Sequence, residues 1–119
     1  MPHSSQDLHK KILGKKGERT ALQYLKKQGY QIVDTNYRTP LGEADIIALD
    51  KDELVFVEVK TRTGDEFGAP KESVGKDKQR RYYNIARYYG QATGEEPNAR
   101  FDVIEIFADG TIKHYKHAF

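Results

Sequence analysis

Apolar residues recur with helical spacing in two segments of the chain, residues 6–28 and 76–92. In the first segment these residues are Leu8, Ile12, Ala21, Leu22 and Leu25. In the second segment they are Tyr82, Ile85, Ala86 and Tyr89. This spacing places the side chains on one side of a helix, so both segments are predicted to be helical. Gly29 is typical of a helix end, whereas Gly14 and Gly17 could divide the first helix into two.

Five further segments, rich in β-branched and aromatic residues, are predicted to be strands: 30–39, 43–50, 54–62, 99–107 and 111–119. A short polar turn joins the second and third strands and predicts a hairpin with Leu49 opposite Leu54. The resulting order, α-β-β-β-α-β-β, predicts an α+β fold in which helices flank a mixed five-stranded sheet. We expect one domain over residues 1–119, with about the first six residues disordered. The long loop at 63–75 is expected to have a functional role.

Composition and charge exclude several classes of protein. The 119 residues carry 20 Lys and Arg against 18 Asp and Glu, a formal charge of +2, so net charge alone does not indicate nucleic-acid binding. The absence of cysteine excludes disulfides, thiolate zinc sites and cysteine nucleophiles. The sequence has neither the apolar core of a signal peptide nor an apolar run of membrane-spanning length. We therefore expect a cytoplasmic protein with no membrane partner.

The apolar strand 54–62 ends in two charged residues, Glu58 and Lys60, which need partners because burying an unpaired charge is costly. The hairpin register predicts Asp45 opposite Glu58. It also predicts Glu43 opposite Lys60, with all four side chains on one face. Two carboxylates this close repel unless a proton or cation lies between them, and oxygen ligands suit Mg²⁺ better than zinc. On this reasoning, Glu58→Gln would leave the metal-free protein at least as stable as the native protein.

A purely structural role for these charges is equally open. Glu43 and Lys60 could form a cross-strand ion pair. Asp45 and Glu58 could lie at a solvated edge of the sheet near Arg62. A change of register by one residue would also disperse the four side chains.

Three short motifs resemble those of the restriction-endonuclease-like, or PD-(D/E)xK, nuclease superfamily. They are Gly42-Glu43-Ala44-Asp45, Glu58-Val59-Lys60, and the pair Gln79 and Tyr83 on the second predicted helix. Four longer stretches resemble the YraN-like family of bacterial proteins, which is also similar to archaeal Holliday junction resolvases: GERTALQYL, GEADIIA, VFVEVKTR and FGAPKESVGKDKQRR. Ala44 stands where the superfamily usually has proline, which leaves the following carboxylate in place.

The resemblance implies a restriction-endonuclease-like core and a metal-dependent nuclease. It assigns Asp45 and Glu58 as ligands of Mg²⁺ or Mn²⁺, and Lys60 as the residue that orients or activates the attacking water. Because two carboxylates lie beside Lys60 when metal is absent, we expect it to stay protonated and to act in positioning. Glu18 would complete the site. Alternatively, Glu18 begins a helix after Gly17, where the helix dipole favours an acid.

Gln79, which we include among the catalytic residues, and Tyr83 lie one helical turn apart, so both can face Lys60 or a phosphate. Alternatively, Tyr83 packs in the core beside an exposed glutamine. The residues assigned to nucleic-acid binding are Arg62, Lys71, Lys78, Arg80, Arg81 and Tyr83. Such basic and aromatic residues suit phosphate contacts and base stacking, although basic helix faces are often only solvated. The lysines that could extend this surface are Lys10, Lys11, Lys15 and Lys16.

These inferences predict a Mg²⁺- or Mn²⁺-dependent nuclease acting on DNA, including branched or damaged DNA. One alternative is a non-catalytic nucleic-acid-binding module that retains the fold and its basic surface. Another is an interaction domain whose acidic pocket has lost its role. The sequence leaves open the choice between DNA and RNA, and whether the protein acts as a monomer or a homodimer. His114 and His117 show no metal-ligand pattern and are predicted to lie on a strand surface.

Overall fold

The fold is taken from a computed structural model that describes residues 5–62, 75–94 and 98–119, with side chains from residue 14 onward. Its elements in chain order are α1 (Ser5–Lys27), β1 (Gln31–Thr39), β2 (Gly42–Asp50), β3 (Glu53–Arg62), α2 (Lys76–Thr93), β4 (Ala99–Phe107) and β5 (Ile112–Tyr115). The predicted α+β order is confirmed, although β5 is shorter than the predicted strand at 111–119. The expectations for the loop at 63–75 and for the first residues of the chain fall mainly outside the described residues.

The five strands form one mixed sheet in the order β1-β2-β3-β4-β5. Strands β1, β2 and β3 are antiparallel neighbours, β4 is parallel to β3, and β5 returns antiparallel to β4. A parallel pair requires a crossover connection, which contains α2. The predicted hairpin register is confirmed, because Leu49 pairs with Leu54 across the turn at 51–52.

The two helices cover opposite faces of this sheet. Successive strand residues alternate between the faces, so Val55 and Val57 of β3 point toward α1 while their neighbours point toward α2. The core on the α1 side contains Ala21, Leu25, Tyr30, Ile46, Ala48, Val55, Val57, Ile104 and Ile106. The core on the α2 side contains Ala44, Ile47, Leu54, Phe56, Tyr82, Ile85, Ala86 and Phe101. Within the described parts of the chain, neither helix combines the length and apolar character needed to cross a membrane.

Glycine allows both helices to approach the sheet closely. Helix α1 continues without a break through Gly14 and Gly17, so the division considered from the sequence does not occur. A methyl group at Gly17 would collide with the hydroxyl of Thr61 near the end of β3. Gly42, at a backbone φ of +142°, lies against the side-chain methylene groups of Arg81, where a Cβ would clash. Both contacts lie at the end of the sheet where β2 starts and β3 ends, one on each face.

Buried charges on the α1 side of the sheet are paired with one another. Arg100, only 4% exposed, donates from Nε and Nη2 to the two carboxylate oxygens of Asp102, each at 3.0 Å. Its Nη1 donates to Asp50 at 2.8 Å and to Glu53 at 3.2 Å. Its Nη2 also donates to the Tyr30 hydroxyl at 2.7 Å. These bonds link β4 to the β2–β3 turn and to the start of β1.

His114 does not lie on the strand surface, which corrects the prediction. Its side chain is 6% exposed, and Nε2 lies 2.7 Å from Asp102 Oδ2. Nδ1 lies 3.1 Å from the hydroxyl of Tyr24, a residue of α1 that is 90 positions away in the sequence. The residues around a single histidine in a short strand do not indicate that a helix distant in sequence will bury it. His117 follows β5, and its side chain is 68% exposed.

Candidate active site

The backbone pairing of β2 and β3 ends just before the predicted site. Their register stops at the pair Ile46↔Val57. Beyond this pair, Oδ2 of Asp45 accepts a hydrogen bond from the backbone N–H of Val59 at 2.8 Å. A side chain thus takes the place of a main-chain acceptor, and the carboxylate of Asp45 lies in the opening between the two strands.

The carboxyl of Asp45 is difficult to ionise at this position. Burial, and after it the charge of Glu58, raises the pKa of Asp45 from 3.8 to about 7. Glu18 adds to this rise, while the hydrogen bond from Val59 and the charge of Lys78 oppose it. Three carboxylates from β2, β3 and α1 therefore share one electrostatic environment, with Asp45 at its centre.

Glu58, the second of these carboxylates, is 8% exposed and is held by α2. The hydroxyl of Tyr82 donates a short hydrogen bond to Glu58 Oε2. The ammonium group of Lys78, in the first turn of α2, forms an ion pair with Oε1. Lys60 Nζ lies 3.6 Å from the same oxygen. Both oxygens of Glu58 are therefore engaged, and two lysines share one of them.

The pKa values of the two lysines shift in opposite directions. Burial lowers the pKa of Lys60, and the adjacent Lys78 lowers it further, against the attraction of Glu58. Burial also acts to lower the pKa of Lys78, but contact with Glu58 outweighs it and raises that pKa. The carboxylates beside Lys60, taken alone, would keep its amine protonated, as predicted from the sequence. Burial, and after it the charge of Lys78, shifts this balance toward the neutral amine.

Glu43 lies beside Glu18 and not beside Lys60, because the pairing of β2 with β3 ends before it, so its predicted position opposite Lys60 is wrong. It pairs instead with Arg38 across the β1–β2 hairpin, with Oε2 at 3.7 Å from Arg38 Nε. With its amide nitrogen directed toward them, Asn36 donates to Glu43 Oε1 at 3.1 Å and to Glu18 Oε2 at 3.3 Å. Burial raises the pKa of Glu18; the bond from Asn36 opposes this rise and Glu43 adds to it. Glu18 lies inside α1, so the alternative in which it begins a helix does not apply.

A cleft of about 750 Å³ opens beside Asp45 on the α1 side of the sheet. Its lining includes acids, bases and an amide from α1, β1 and β2, namely Lys15, Glu18, Arg19, Asn36, Arg38 and Asp45. Three cations thus line the cleft together with the carboxylates of Glu18 and Asp45.

Two of the residues assigned to nucleic-acid binding are engaged inside the protein. Arg62 Nε donates to Glu105 Oε2 at 2.8 Å, and Glu105 is a buried residue of β4. Lys78 forms its ion pair with Glu58. Both cations neutralise buried carboxylates on the α2 side of the sheet. The sequence alone does not show whether such a cation pairs inside the protein or lies on a solvated surface.

The other assigned residues of α2 are distributed around the helix. Arg80 and Arg81 are exposed, and Gln79 is half-buried in the first turns of the helix. Tyr83 is exposed but packs edge-on against Phe101, with ring centroids 4.8 Å apart. The positions that lie outside the described side chains are Lys10, Lys11 and Lys71.

Two contacts of this site are not predicted from the sequence. Tyr82 is predicted only as part of the apolar face of the second helix, yet its hydroxyl donates a hydrogen bond to Glu58. The available signal is that a buried tyrosine hydroxyl needs a hydrogen-bond partner. The second contact, between Arg38 and Glu43, has its signal in the first hairpin. A turn at 40–41 places Arg38 opposite Glu43, as the structure has it.

The donor chemistry of this site fits a hard divalent cation. Asp45 and Glu58 provide carboxylate oxygens, with Glu18 nearby, and a cation would relieve their mutual repulsion. In the described portion of the chain, no three His, Cys, Asp or Glu side chains are already arranged around one metal position. Mg²⁺ commonly keeps several waters and binds through one or two carboxylates together with substrate phosphates, so two protein ligands suffice.

Fold and site together define an α+β protein with an acidic, lysine-containing centre where two strands of a mixed sheet separate. The chain belongs to the uncharacterised protein family UPF0102, whose model matches residues 17–106. This is the YraN-like family that the sequence motifs resemble. The matched range contains Glu18, Asp45, Glu58 and Lys60.

Relatives from several bacteria match most of the chain. A UPF0102 protein of Desulfosudis oleivorans is 47% identical over 108 residues, which cover 89% of this chain and 88% of the relative. One from Thermodesulfovibrio yellowstonii is 47% identical over 107 residues, or 90% of this chain and 95% of the relative. One from Alkaliphilus oremlandii is 50% identical over 102 residues, or 83% and 86%. The names of these relatives state no activity.

Proposed function

We propose that this protein is a metal-dependent phosphodiester hydrolase that cleaves DNA, including branched or damaged DNA. The observation that carries the proposal is the position of Asp45 between β2 and β3, beside Glu58 and Glu18, where its pKa is raised to about 7. A carboxyl so poorly suited to ionisation costs stability, and such perturbed groups concentrate at functional sites. A divalent cation would remove the repulsion among these carboxylates.

In this proposal Asp45 and Glu58 hold Mg²⁺ or Mn²⁺, with Glu18 as a neighbouring acid. The bound cation would neutralise the non-bridging phosphate oxygens and lower the pKa of the attacking water. Lys60 lies on the same face as Glu58, two residues further along β3, and its amine would position that water. Its lowered pKa makes proton acceptance at Nζ easier than at an exposed lysine.

Cations on two sides of the site would contact the nucleic acid. Lys15, Arg19 and Arg38 border the cleft beside the buried carboxylates. Arg80 and Arg81 are exposed on α2. Phosphate contacts from such residues position a nucleic acid without reading its sequence. This local clustering of cations supports nucleic-acid binding, although the net charge of +2 alone does not indicate it.

The proposal is tested with linear, nicked and four-way DNA and with single-stranded RNA, each in Mg²⁺, in Mn²⁺ and in EDTA. We expect metal-dependent cleavage of DNA that falls about 100-fold or more in Asp45→Asn and in Lys60→Met. Asp52→Asn is the matched control, because Asp52 is an exposed carboxylate in the turn of the same hairpin. It should cleave like the native protein.

Cleavage that survives Asp45→Asn, or that EDTA does not abolish, would contradict the proposal. Binding of DNA without cleavage in either metal would favour the alternative of a non-catalytic nucleic-acid-binding module. One observation favours that alternative: the ion pair between Lys78 and Glu58 neutralises a candidate ligand without any metal.

A further inference from the structure

Lys78 occupies a position beside Glu58 where a metal ion would bind. Its ammonium group contacts Oε1, while Oε2 accepts the hydrogen bond from Tyr82. Glu58 is almost fully buried, so little solvent competes for these contacts. We propose that Lys78 is a tethered cation that neutralises Glu58 in the metal-free protein and is displaced when a divalent cation binds. This inference rests on the metal site of the proposed function.

Geometry distinguishes Lys78 from Lys60 as the cation that leaves. Lys60 Nζ lies 3.6 Å from Glu58 Oε1, and both residues belong to β3, whose backbone is paired with β4. Lys78 makes the closer contact and comes from the first turn of a different element, α2. Its side chain is 24% exposed, close to the 23% of Lys60, so exposure does not separate the two lysines. The difference is that the stem of Lys78 starts from α2, outside the sheet, so rotation about this stem carries the ammonium group away from β3 and into solvent.

Charge repulsion supplies the reason for displacement. Glu58 Oε1 already meets the ammonium groups of Lys60 and Lys78. A divalent cation bound to Glu58 and Asp45 would bring two more positive charges close to both lysines. Like charges in a poorly solvated site repel more strongly than they do in water. Withdrawal of Lys78 relieves this repulsion and returns its charge to solvent.

The exchange would set the metal affinity of the site. A metal ion has to replace an existing ion pair, so it binds more weakly than it would to the same carboxylates without Lys78. The metal-free protein gains in return, because a buried carboxylate with a paired cation is far less costly than an unpaired one. Removing the charge of Lys78 should therefore strengthen metal binding and weaken the metal-free fold.

Isothermal titration calorimetry with Mn²⁺ alone, on the full chain without nucleic acid, tests this exchange. Lys78→Met keeps an unbranched side chain and removes the charge. We expect it to bind Mn²⁺ about ten-fold more tightly than the native protein, and without metal to unfold at a lower temperature. Lys76→Met is the matched control, because Lys76 is an exposed lysine in the same helical turn. Its Mn²⁺ affinity should stay within about two-fold of the native value, since solvent screens that charge.

Equal or weaker Mn²⁺ binding by Lys78→Met would overturn the inference. Lys78→Gln provides the same comparison if the methionine variant does not fold. Lysine side-chain NMR gives a direct readout in the native protein. Saturating Mg²⁺ should move the Lys78 signal toward that of an exposed lysine and leave the Lys76 signal unchanged. A Lys78 signal that stays in place would equally overturn the exchange.

These results separate the inference from the proposed function. Tighter Mn²⁺ binding by Lys78→Met, in a protein that cleaves no nucleic acid, would support the exchange and refute the nuclease. If Mn²⁺ binds to neither the native protein nor Lys78→Met, both the exchange and the metal-dependent function are overturned.

Discussion

Replacing Asp45 with asparagine should stabilise the protein at alkaline pH and change its stability little at acidic pH. Asparagine keeps the shape of the side chain and an oxygen that can accept the hydrogen bond from Val59, but it carries no charge. Burial, followed by the charge of Glu58, raises the pKa of Asp45 in the folded protein to about 7, against an ordinary value of 3.8. The unfolded chain therefore loses this proton at a lower pH than the folded protein does.

The sign and size of the effect follow from this difference in proton binding. Between about pH 4 and about pH 7 the folded protein holds the Asp45 proton and the unfolded chain does not, so the free energy of unfolding falls as the pH rises. Moving a pKa from 3.8 to about 7 corresponds to about 4 kcal/mol, at about 1.4 kcal/mol for each pH unit. This is an upper bound, because Asp45 borders a cleft that opens to solvent. Asp45→Asn avoids the loss and should gain about 2 to 4 kcal/mol over the native protein above about pH 8.

Urea unfolding in EDTA, from about pH 4.5 to about pH 8.5, measures this gain. With a urea dependence of about 2 kcal/mol/M, the midpoints of Asp45→Asn and the native protein should diverge by about 1 to 2 M across this range. Asp52→Asn should follow the native protein at every pH, because that carboxylate is exposed in the turn. A difference between Asp45→Asn and the native protein that is independent of pH, or a loss of stability that grows with pH, would refute the reasoning.

Glu58→Gln should lower the free energy of unfolding by about 1 to 3 kcal/mol at neutral pH, because two lysines lose their shared counter-ion; unchanged urea unfolding would contradict this. Combining Arg19→Gln with Arg38→Gln should weaken DNA binding and reduce the slope of log affinity against log salt by about 2. An unchanged slope would place the nucleic acid elsewhere. Arg100→Met should destabilise the protein by about 3 to 5 kcal/mol in thermal unfolding, because Asp102 stays buried without its arginine. A loss below about 1 kcal/mol would show that the bonds from His114 and the backbone of the residues after β5 suffice for Asp102.

The element order and the hairpin register could be predicted because both depend on local signals. Hydrophobic periodicity identifies the helices and strands, and the polar turn determines that Leu49 pairs with Leu54. The continuity of α1 through Gly17 and the burial of His114 have a different origin. Both depend on contacts with elements that are distant in sequence, and no short-range pattern reports such contacts.

At the candidate site, the register of the β2–β3 hairpin no longer predicts which side chains lie together. Glu58 and Lys60 share a face because a single strand has a period of two residues, and the structure has them so. The position of Glu43 depends on pairing between two strands, and that pairing ends where Asp45 turns into the opening. The cation that accompanies Glu58 is decided by the packing of α2, which places Lys78 there. For this reason Glu58→Gln is expected to be at least as stable as the native protein from the sequence, but less stable from the structure.

Two groups of buried charges belong to this sheet, and they differ in the protonation state that their surroundings favour. Burial opposes the charge of Arg100, but bonds to Asp102 and Asp50 outweigh it and raise its pKa. Burial likewise opposes the charge of Asp102, but bonds to His114 and Arg100 outweigh it and lower its pKa. Arg100 and Asp102 thus each stabilise the charged form of the other, as expected of charges that stabilise a fold. The surroundings of Asp45 act in the opposite sense and raise its pKa to about 7. A fold that compensates Asp102 so fully has no structural reason to leave the charge of Asp45 only partly compensated, and this is why we propose Asp45 as the centre of the metal and substrate site.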